Sequence, residues 1–134
     1  PEHVPSEGDE FFQGYMKAAE WLLDTDSPAS EGGIDRDAIM GWAPAAIADA
    51  LEDCQAFQAS NAADLARYAE CYRPKGEYTP EECAGHDFWL SRNGHGAGFF
   101  DRGNDPVFTR LQAAAQVWRG RDAYLGDDGL LYFS

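Results

Sequence analysis

The amino-acid sequence predicts an α+β domain in which N-terminal amphipathic helices pack on a small antiparallel sheet made of two β-hairpins with an intervening helix. Three observations lead to this prediction. Apolar residues recur at helical spacing in the first half, glycine-rich breakers separate short apolar runs at two places in the second half, and a helical pattern lies between those runs. The 134 residues are enough for one core, so we expect a single domain over 1–134.

The first half, residues 1–72, is predicted to be helical and acidic. A polar lead-in over 1–8 precedes apolar residues at three- and four-residue steps. This spacing predicts an amphipathic helix that begins at Asp9 or Glu10 and ends near Asp24.

The chain between this helix and residue 72 contains further helical signals. Residues 24–33 are rich in Ser, Pro and Gly and are typical of a loop, and residues 34–40 are compatible with a short helical turn. From Pro44 to Cys71 the apolar spacing is again helical. Because Ser60 and Asn61 interrupt it, the pattern fits either one long helix or two helices in tandem.

The second half, residues 79–134, is predicted to run helix, hairpin, helix, hairpin. Thr79, Pro80 and Glu82 form the signature of a helix start, with Thr79 as the N-cap and Glu82 closing a capping box. We expect this helix to be short, because Gly85 and a run of strand-forming residues follow it.

The first predicted hairpin pairs residues 88–92 with residues 98–102 across the breaker cluster 93–97. Both faces of this ribbon would carry large aromatic side chains, so it would be covered on both sides or would bind something. If Asn93 and Gly94 alone make the turn, the register shifts by an odd number of residues and the faces exchange.

The C-terminal part continues with a helix and a second hairpin. Asp105 and Pro106 open the helix, whose buried stripe is Phe108, Leu111, Ala115 and Trp118. Residues 127–129, Asp-Asp-Gly, then separate the apolar runs 124–126 and 130–133, which predicts a hairpin.

The net charge of −14 is unevenly distributed. Residues 1–70 hold 15 Asp and Glu against 3 Lys and Arg, whereas residues 71–134 hold 9 against 7. Such a charge disfavours direct binding to nucleic acid and favours a partner with a basic surface, although an acidic surface also serves solubility alone. The predicted acidic face of the Pro44–Cys71 helix consists of Asp49, Glu52, Asp53 and Asp64.

Cysteine usage indicates reduced thiols. The three cysteines, Cys54, Cys71 and Cys83, are an odd number without a CxxC pair, which argues against a disulfide framework or a structural zinc. Because no apolar run is long enough to span a bilayer and no signal-peptide pattern occurs, we expect no membrane association. Residue 1 is a proline, and we therefore expect that the native start was trimmed or lies outside this sequence.

No catalytic signature is present, and the sequence does not point to an enzyme, a metal or a cofactor. His86, Asp87, His95 and Asp101 are metal-ligand types near one predicted hairpin, but structural roles explain them better. The best ligand-site interpretation is a phosphate or carboxylate held against the glycine-rich turn. Its residues would be Arg92, Asn93, His95, Asp101 and Arg102.

Residues 84–103, AGHDFWLSRNGHGAGFFDRG, and the later YLGDDGLLYF resemble a family of small acidic proteins of unassigned function from tailed bacteriophages and related mobile elements. The family block is GHDFWLxRNGHGAGFxDRG, followed by a helix and a VGDDG-type hairpin. This chain has Phe100 where tryptophan is common, and Tyr124-Leu125-Gly126 where Tyr-Val-Gly is usual. The resemblance implies a phage accessory protein in the cytoplasm of a bacterial host, but no reaction and no site residues.

Three functional hypotheses follow. The first is an acidic inhibitor that binds a host protein or nucleoprotein complex with a basic surface, such as a restriction or CRISPR effector. The second is a small-ligand or nucleotide-binding protein, or a modest enzyme, that uses the loop Asn93–Gly98. The third is a virion or assembly component, and a homodimer through the aromatic ribbon is left open.

Overall fold

The computed structural model describes residues 9–23, 33–74, 76–95 and 97–134 of the chain. The predicted lead-in over 1–8 and most of the predicted loop over 24–33 lie outside these residues. In chain order the described elements are α1 (Glu10–Trp21), a 3₁₀ turn (Arg36–Ala38), β1 (Gly41–Trp42), α2 (Pro44–Ser60), α3 (Ala62–Cys71), α4 (Pro80–Arg92), a second 3₁₀ turn (Phe99–Asp101), α5 (Pro106–Gln116), β2 (Ala123–Leu125) and β3 (Leu130–Phe133).

The α+β class is confirmed, but the sheet differs from the predicted one. Its three strands lie in the order β1-β3-β2. The predicted C-terminal hairpin is present, with β2 antiparallel to β3 and Tyr124 opposite Tyr132. Strand β1 (Gly41–Trp42) is not predicted by the sequence. It pairs parallel with β3, so the sheet is mixed and contains one hairpin.

The helices of the first half begin where the sequence signals lie. The Asp9 carboxylate caps α1 by accepting from the Phe12 amide at 3.1 Å, and Pro44 occupies the first turn of α2. The tandem alternative for the second helix is correct. The Phe57 carbonyl accepts from both the backbone and the side-chain amide of Asn61, whose non-helical backbone separates α2 from α3.

The prediction of a first hairpin is wrong, because residues 88–92 belong to α4. The capping box of Thr79 and Glu82 starts this helix as predicted. The helix then continues through Gly85 to Arg92 and ends in a turn at Asn93 and Gly94. The aromatic residues of the run fit a helix, since Ala84, Phe88 and Ser91 are buried along it.

The returning segment 98–102 forms a 3₁₀ turn rather than a strand. The Ser91 hydroxyl fixes its position, because it accepts from the Phe99 amide at 3.1 Å and donates to the Gln112 side-chain oxygen at 2.7 Å. Phe99 is thereby buried beneath α5 and close to α3. The aromatic ribbon that a homodimer would use therefore does not exist.

The core is an aromatic cluster that α1, α2, α3, α4 and α5 enclose together. Phe57 and Phe88 stack at its centre, with ring centroids 4.2 Å apart, and the rings of Phe11 and Phe99 lie 6.0 and 6.1 Å from that of Phe57. The sheet joins this core through Phe133, whose ring lies 4.8 Å from that of Trp42. The two predicted halves therefore share one core.

Candidate functional site

The first of two buried ion pairs near the Ala84–Gly103 block joins Asp87 to Arg102. The Asp87 carboxylate is fully buried and accepts from the Tyr68 hydroxyl at 2.8 Å and from Arg102 Nε at 2.9 Å. Burial raises the pKa of Asp87, while Arg102 and Tyr68 oppose this shift. The Arg102 guanidinium also lies over the Tyr72 ring, at 5.4 Å from its centroid. This network ties α3, α4 and the turn after α4 together.

The second ion pair joins Arg92 to Asp53, at 2.8 Å. The Arg92 side chain is only 4% exposed, and it also donates to the Tyr15 hydroxyl at 3.0 Å and to the Arg119 carbonyl at 2.6 and 2.9 Å. Its guanidinium lies 5.5 Å from the ring centroids of Phe88 and Trp118. With its donors taken up inside the protein, Arg92 is not open to an incoming phosphate.

The predicted acidic face is largely used in internal ion pairs. Asp49 lies 2.7 Å from Arg121, and Asp64 accepts three hydrogen bonds from Arg110 at 2.9, 3.1 and 3.2 Å. Asp53 holds Arg92, as above. Glu52 alone among the four is exposed and has no ion pair within the described part of the chain.

The five predicted ligand-loop residues do not converge on one site. Arg92 lies in the core, and Arg102 is committed to Asp87. The Asp101 carboxylate accepts from the Gly98 amide at 3.3 Å, at the start of the 3₁₀ turn that contains Asp101. Only Asn93 and His95 reach a common cavity.

That cavity has a volume of about 490 Å³ and lies between the end of α1, the end of α4 and β2. Its lining includes Leu22, Leu23, Trp89, Asn93, His95 and Asp122. Asn93 is already occupied, because its amide donates to the Trp89 carbonyl and its oxygen accepts from the Arg121 amide. The Trp89 indole nitrogen is buried and has no hydrogen-bond partner among the described residues.

A second cluster, which the sequence analysis missed, lies where the end of α1 meets the start of α4. The centroid of the His86 ring lies 6.1 Å from that of the Trp21 ring and 5.6 Å from that of the Tyr78 ring. The Lys17 ammonium lies 5.4 Å from the Tyr78 centroid and 3.1 Å from Glu82. No local pattern could reveal this cluster, since Lys17 and Glu82 are 65 residues apart.

The titratable groups of this cluster have shifted pKa values. Burial lowers the pKa of His86, which favours the neutral imidazole. Burial alone would raise the pKa of Glu82, but the Thr79 amide and the Lys17 ammonium outweigh it and hold this pKa below its ordinary value. The cluster therefore presents a carboxylate beside neutral aromatic rings.

The metal-ligand types in the block are separated from one another. Asp87 lies in the core with Arg102, His86 faces Trp21 and Tyr78, and His95 lies at the cavity. Within residues 9–23, 33–74, 76–95 and 97–134, no group of three or more His, Cys, Asp or Glu is arranged to hold a metal ion. None of the helices in these ranges is long and apolar enough to cross a bilayer.

Comparison with protein-family models, with curated proteins and with solved structures finds no match to this chain. The resemblance of residues 84–103 to a phage family therefore stays a prediction. What the fold defines is a small α+β domain whose motif residues are mostly structural.

Proposed function

We propose that this protein is a phage-encoded accessory protein that acts by protein–protein interaction in the cytoplasm of a bacterial host. Its target would be a host nucleic-acid-handling defence complex of the restriction or CRISPR type, which the protein inhibits by occupying a basic surface. The observation that carries this proposal is the way in which the chain neutralises its own basic side chains.

Most basic residues of the described part are paired internally. Five of the 24 acidic residues and one of the 10 basic residues lie outside the described ranges, which leaves 19 acidic and nine basic residues. Six of these nine basic residues form ion pairs with carboxylates of the same chain: Lys17, Arg67, Arg92, Arg102, Arg110 and Arg121. Few cations therefore remain to offset the exposed carboxylates.

Exposed carboxylates without an ion pair in the described part come from several elements. They include Glu10, Glu52, Glu77, Glu81, Asp122 and Asp127. A surface of this kind repels phosphate and attracts basic grooves over a distance of about a Debye length, roughly 8–10 Å at physiological salt. The acidic surface that supports the proposal is thus broader than the predicted face of Asp49, Glu52, Asp53 and Asp64.

The proposal predicts a salt-dependent partner. Tagged protein expressed in its host should recover a nucleic-acid-binding complex at low salt and lose it at high salt, because steering between exposed charges is screened. An affinity that does not change between low and high salt would contradict charge-driven binding.

Two variants separate exposed charge from internal pairing. Replacing Glu10, Glu52 and Glu81 by glutamine removes three exposed charges, and we expect weaker recovery and a shallower salt dependence. Replacing Asp64 by asparagine and Arg110 by glutamine removes an ion pair at constant net charge, and we expect recovery like that of the wild type. If both variants behave like the wild type, Glu10, Glu52 and Glu81 do not contribute to binding the partner.

A small-ligand function is the second candidate, and the cavity of about 490 Å³ beside His95 is the observation that favours it. Arg121 lines this cavity but is paired with Asp49 and Asp53, and Arg92 and Arg102 are committed to other carboxylates. A nucleotide phosphate would therefore find no unpaired arginine among the described residues that line the cavity. Native mass spectrometry of protein purified from its host tests the idea. A bound small molecule that His95→Ala removes, without a change in the melting temperature, would support it, and ligand-free protein would contradict it.

A further inference from the structure

The exposed large apolar side chains of this protein include an aromatic group beside carboxylates. Trp21 is 70% exposed at the end of α1, and Tyr78 is 37% exposed before α4. Both rings contact the same imidazole, that of His86. Tryptophan and tyrosine are among the residue types that dominate the affinity of protein interfaces.

The surroundings of the Tyr78 ring are suited to a cation. A cavity of about 380 Å³ is lined by Lys17, Glu77, Tyr78 and Glu82. Glu77 is exposed and has no ion pair in the described part of the chain, whereas Glu82 is largely covered and holds Lys17. The lining therefore includes one carboxylate that is still available.

The cavity beside Tyr78 already holds one positive charge, that of Lys17. Its ammonium lies over the Tyr78 ring and against Glu82, which combines a cation–π contact with an ion pair. The Lys17 side chain is still 52% exposed, so it does not fill the cavity. The Trp21 ring is not engaged by any cation within the described residues.

We infer that Trp21, Glu77, Tyr78, Glu82 and His86, with Lys17 at their edge, form a binding site for an arginine side chain of a basic protein partner. This aromatic–carboxylate site pairs the guanidinium with Glu77 beside Tyr78, and the exposed Trp21 ring, which contacts the same His86, adds a stacking surface at its edge. Arginine suits it better than lysine, because a guanidinium stacks on a ring and binds a carboxylate through two parallel donors. The inference rests on the proposed function and specifies one contact of that interaction.

Charge argues against a second copy of this chain as the occupant. Another copy would carry the same net charge of −14, and its like charge would oppose association at this acidic place. A basic segment supplies both the opposite charge and the guanidinium.

The test uses a synthetic decapeptide of alternating arginine and glycine, titrated at low salt and followed by calorimetry. A matched peptide with citrulline in place of arginine keeps the size, the planar shape and an N–H edge but removes the charge and replaces one donor group by a carbonyl acceptor. We expect the arginine peptide to bind and the citrulline peptide to bind at least roughly tenfold more weakly. Equal binding of both peptides, or no binding of the arginine peptide, overturns the inference.

Variants locate the site. Trp21→Ala should weaken arginine-peptide binding by roughly tenfold, and Glu77→Gln by a few-fold. The control is Val117→Ala, because Val117 is 82% exposed at the end of α5, and it should bind the peptide as the wild type does. Trp21→Ala should keep its melting temperature, since the side chain is exposed. If Trp21→Ala and Val117→Ala bind equally well, the site is elsewhere.

The same variants distinguish a failure of this inference from a failure of the proposed function. If Trp21→Ala recovers the host partner as the wild type does, while the Glu10, Glu52 and Glu81 variant does not, charge-driven binding stands and the arginine site falls. If no host partner is recovered but peptide binding depends on Trp21, the arginine site stands and the proposed function falls.

Discussion

Gly85 in α4 lies directly against the backbone of Phe11 in α1, so closely that a Cβ atom on Gly85 would be 1.9 Å from the Phe11 carbonyl oxygen. The contact is reciprocal along the same crossing, because a Cβ on Gly14 would be 2.0 Å from the Glu82 carbonyl oxygen. The two helices therefore approach at glycines, and this places Tyr15 against Phe88 and Trp89. Gly85 acts as a packing residue and does not break its helix.

Replacing Gly85 by alanine should destabilise the protein by roughly 3 kcal/mol. Alanine is a better helix former than glycine by about 1 kcal/mol, but its methyl group would force the α1–α4 crossing apart. Urea denaturation followed by circular dichroism measures the change in the free energy of unfolding. Gln116→Ala, at an exposed position of α5, is the control and should be nearly neutral. A stabilised Gly85→Ala protein would mean that the helices do not cross at this glycine.

This crossing explains why the fold could be predicted only in part. The capping box at Thr79, the Asp-Pro start of α5 and the Asp-Gly hairpin are local signals, and each appears where the sequence predicts it. Gly85 and the aromatic run at Phe88 carry the opposite local signal, that of a helix end and a strand. Packing against α1 outweighs this signal, because the helix buries Phe88 and Trp89 in the core.

The candidate sites are harder to predict, since their partners are distant in sequence. Arg92 is 39 residues from Asp53, and Lys17 is 65 residues from Glu82. Arg92 lies near a glycine-rich turn in the sequence, and this pattern predicts a ligand loop. In the structure, however, Arg92 is paired with a carboxylate from another helix. Only Asn93 and His95 of the predicted loop remain beside a cavity.

Breaking the Arg92–Asp53 pair should be costly. Asp53→Ala leaves a buried guanidinium without its carboxylate, and we expect a loss of about 3 kcal/mol in the free energy of unfolding. Arg92→Met should lose a similar amount, because the Tyr15 hydroxyl and the Arg119 carbonyl also lose a partner.

A double-mutant cycle tests whether the two side chains act together. The variant with both Asp53→Ala and Arg92→Met should be clearly less destabilised than the two single losses added together. Glu52→Ala is the matched control on α2, since Glu52 is exposed and unpaired in the described part, and its effect should be within about 0.5 kcal/mol. Additive losses at Asp53 and Arg92 would contradict a direct interaction.

The Asp87 network should show a graded response. Asp87→Asn keeps an acceptor for the Tyr68 hydroxyl but removes the charge that holds Arg102, so we expect a loss of about 3 kcal/mol. Tyr68→Phe removes a single hydrogen bond to this carboxylate and should cost about 1.5–3 kcal/mol. Denaturant unfolding of both variants measures the two losses in the free energy of unfolding. A larger loss for Tyr68→Phe than for Asp87→Asn would contradict the prediction.

Glu82 should give the protein an acid-sensitive contribution to stability. Since its pKa is lowered in the folded chain, the contribution is fully present above the unfolded pKa, about 4.3, and is lost as the pH falls through the folded value.

Glu82→Gln retains a capping-box side chain but loses the charge that holds Lys17. We expect the wild type to exceed this variant by about 0.5–1 kcal/mol near pH 6 and the gap to close below about pH 4. Melting curves of both proteins from pH 3 to 7 measure this difference in stability. Glu81→Gln is the control, because Glu81 is the exposed neighbour of Glu82 and has no ion pair in the described part of the chain. A gap for Glu82→Gln that persists unchanged at pH 3 would show that the carboxylate's charge is not what stabilises the start of α4.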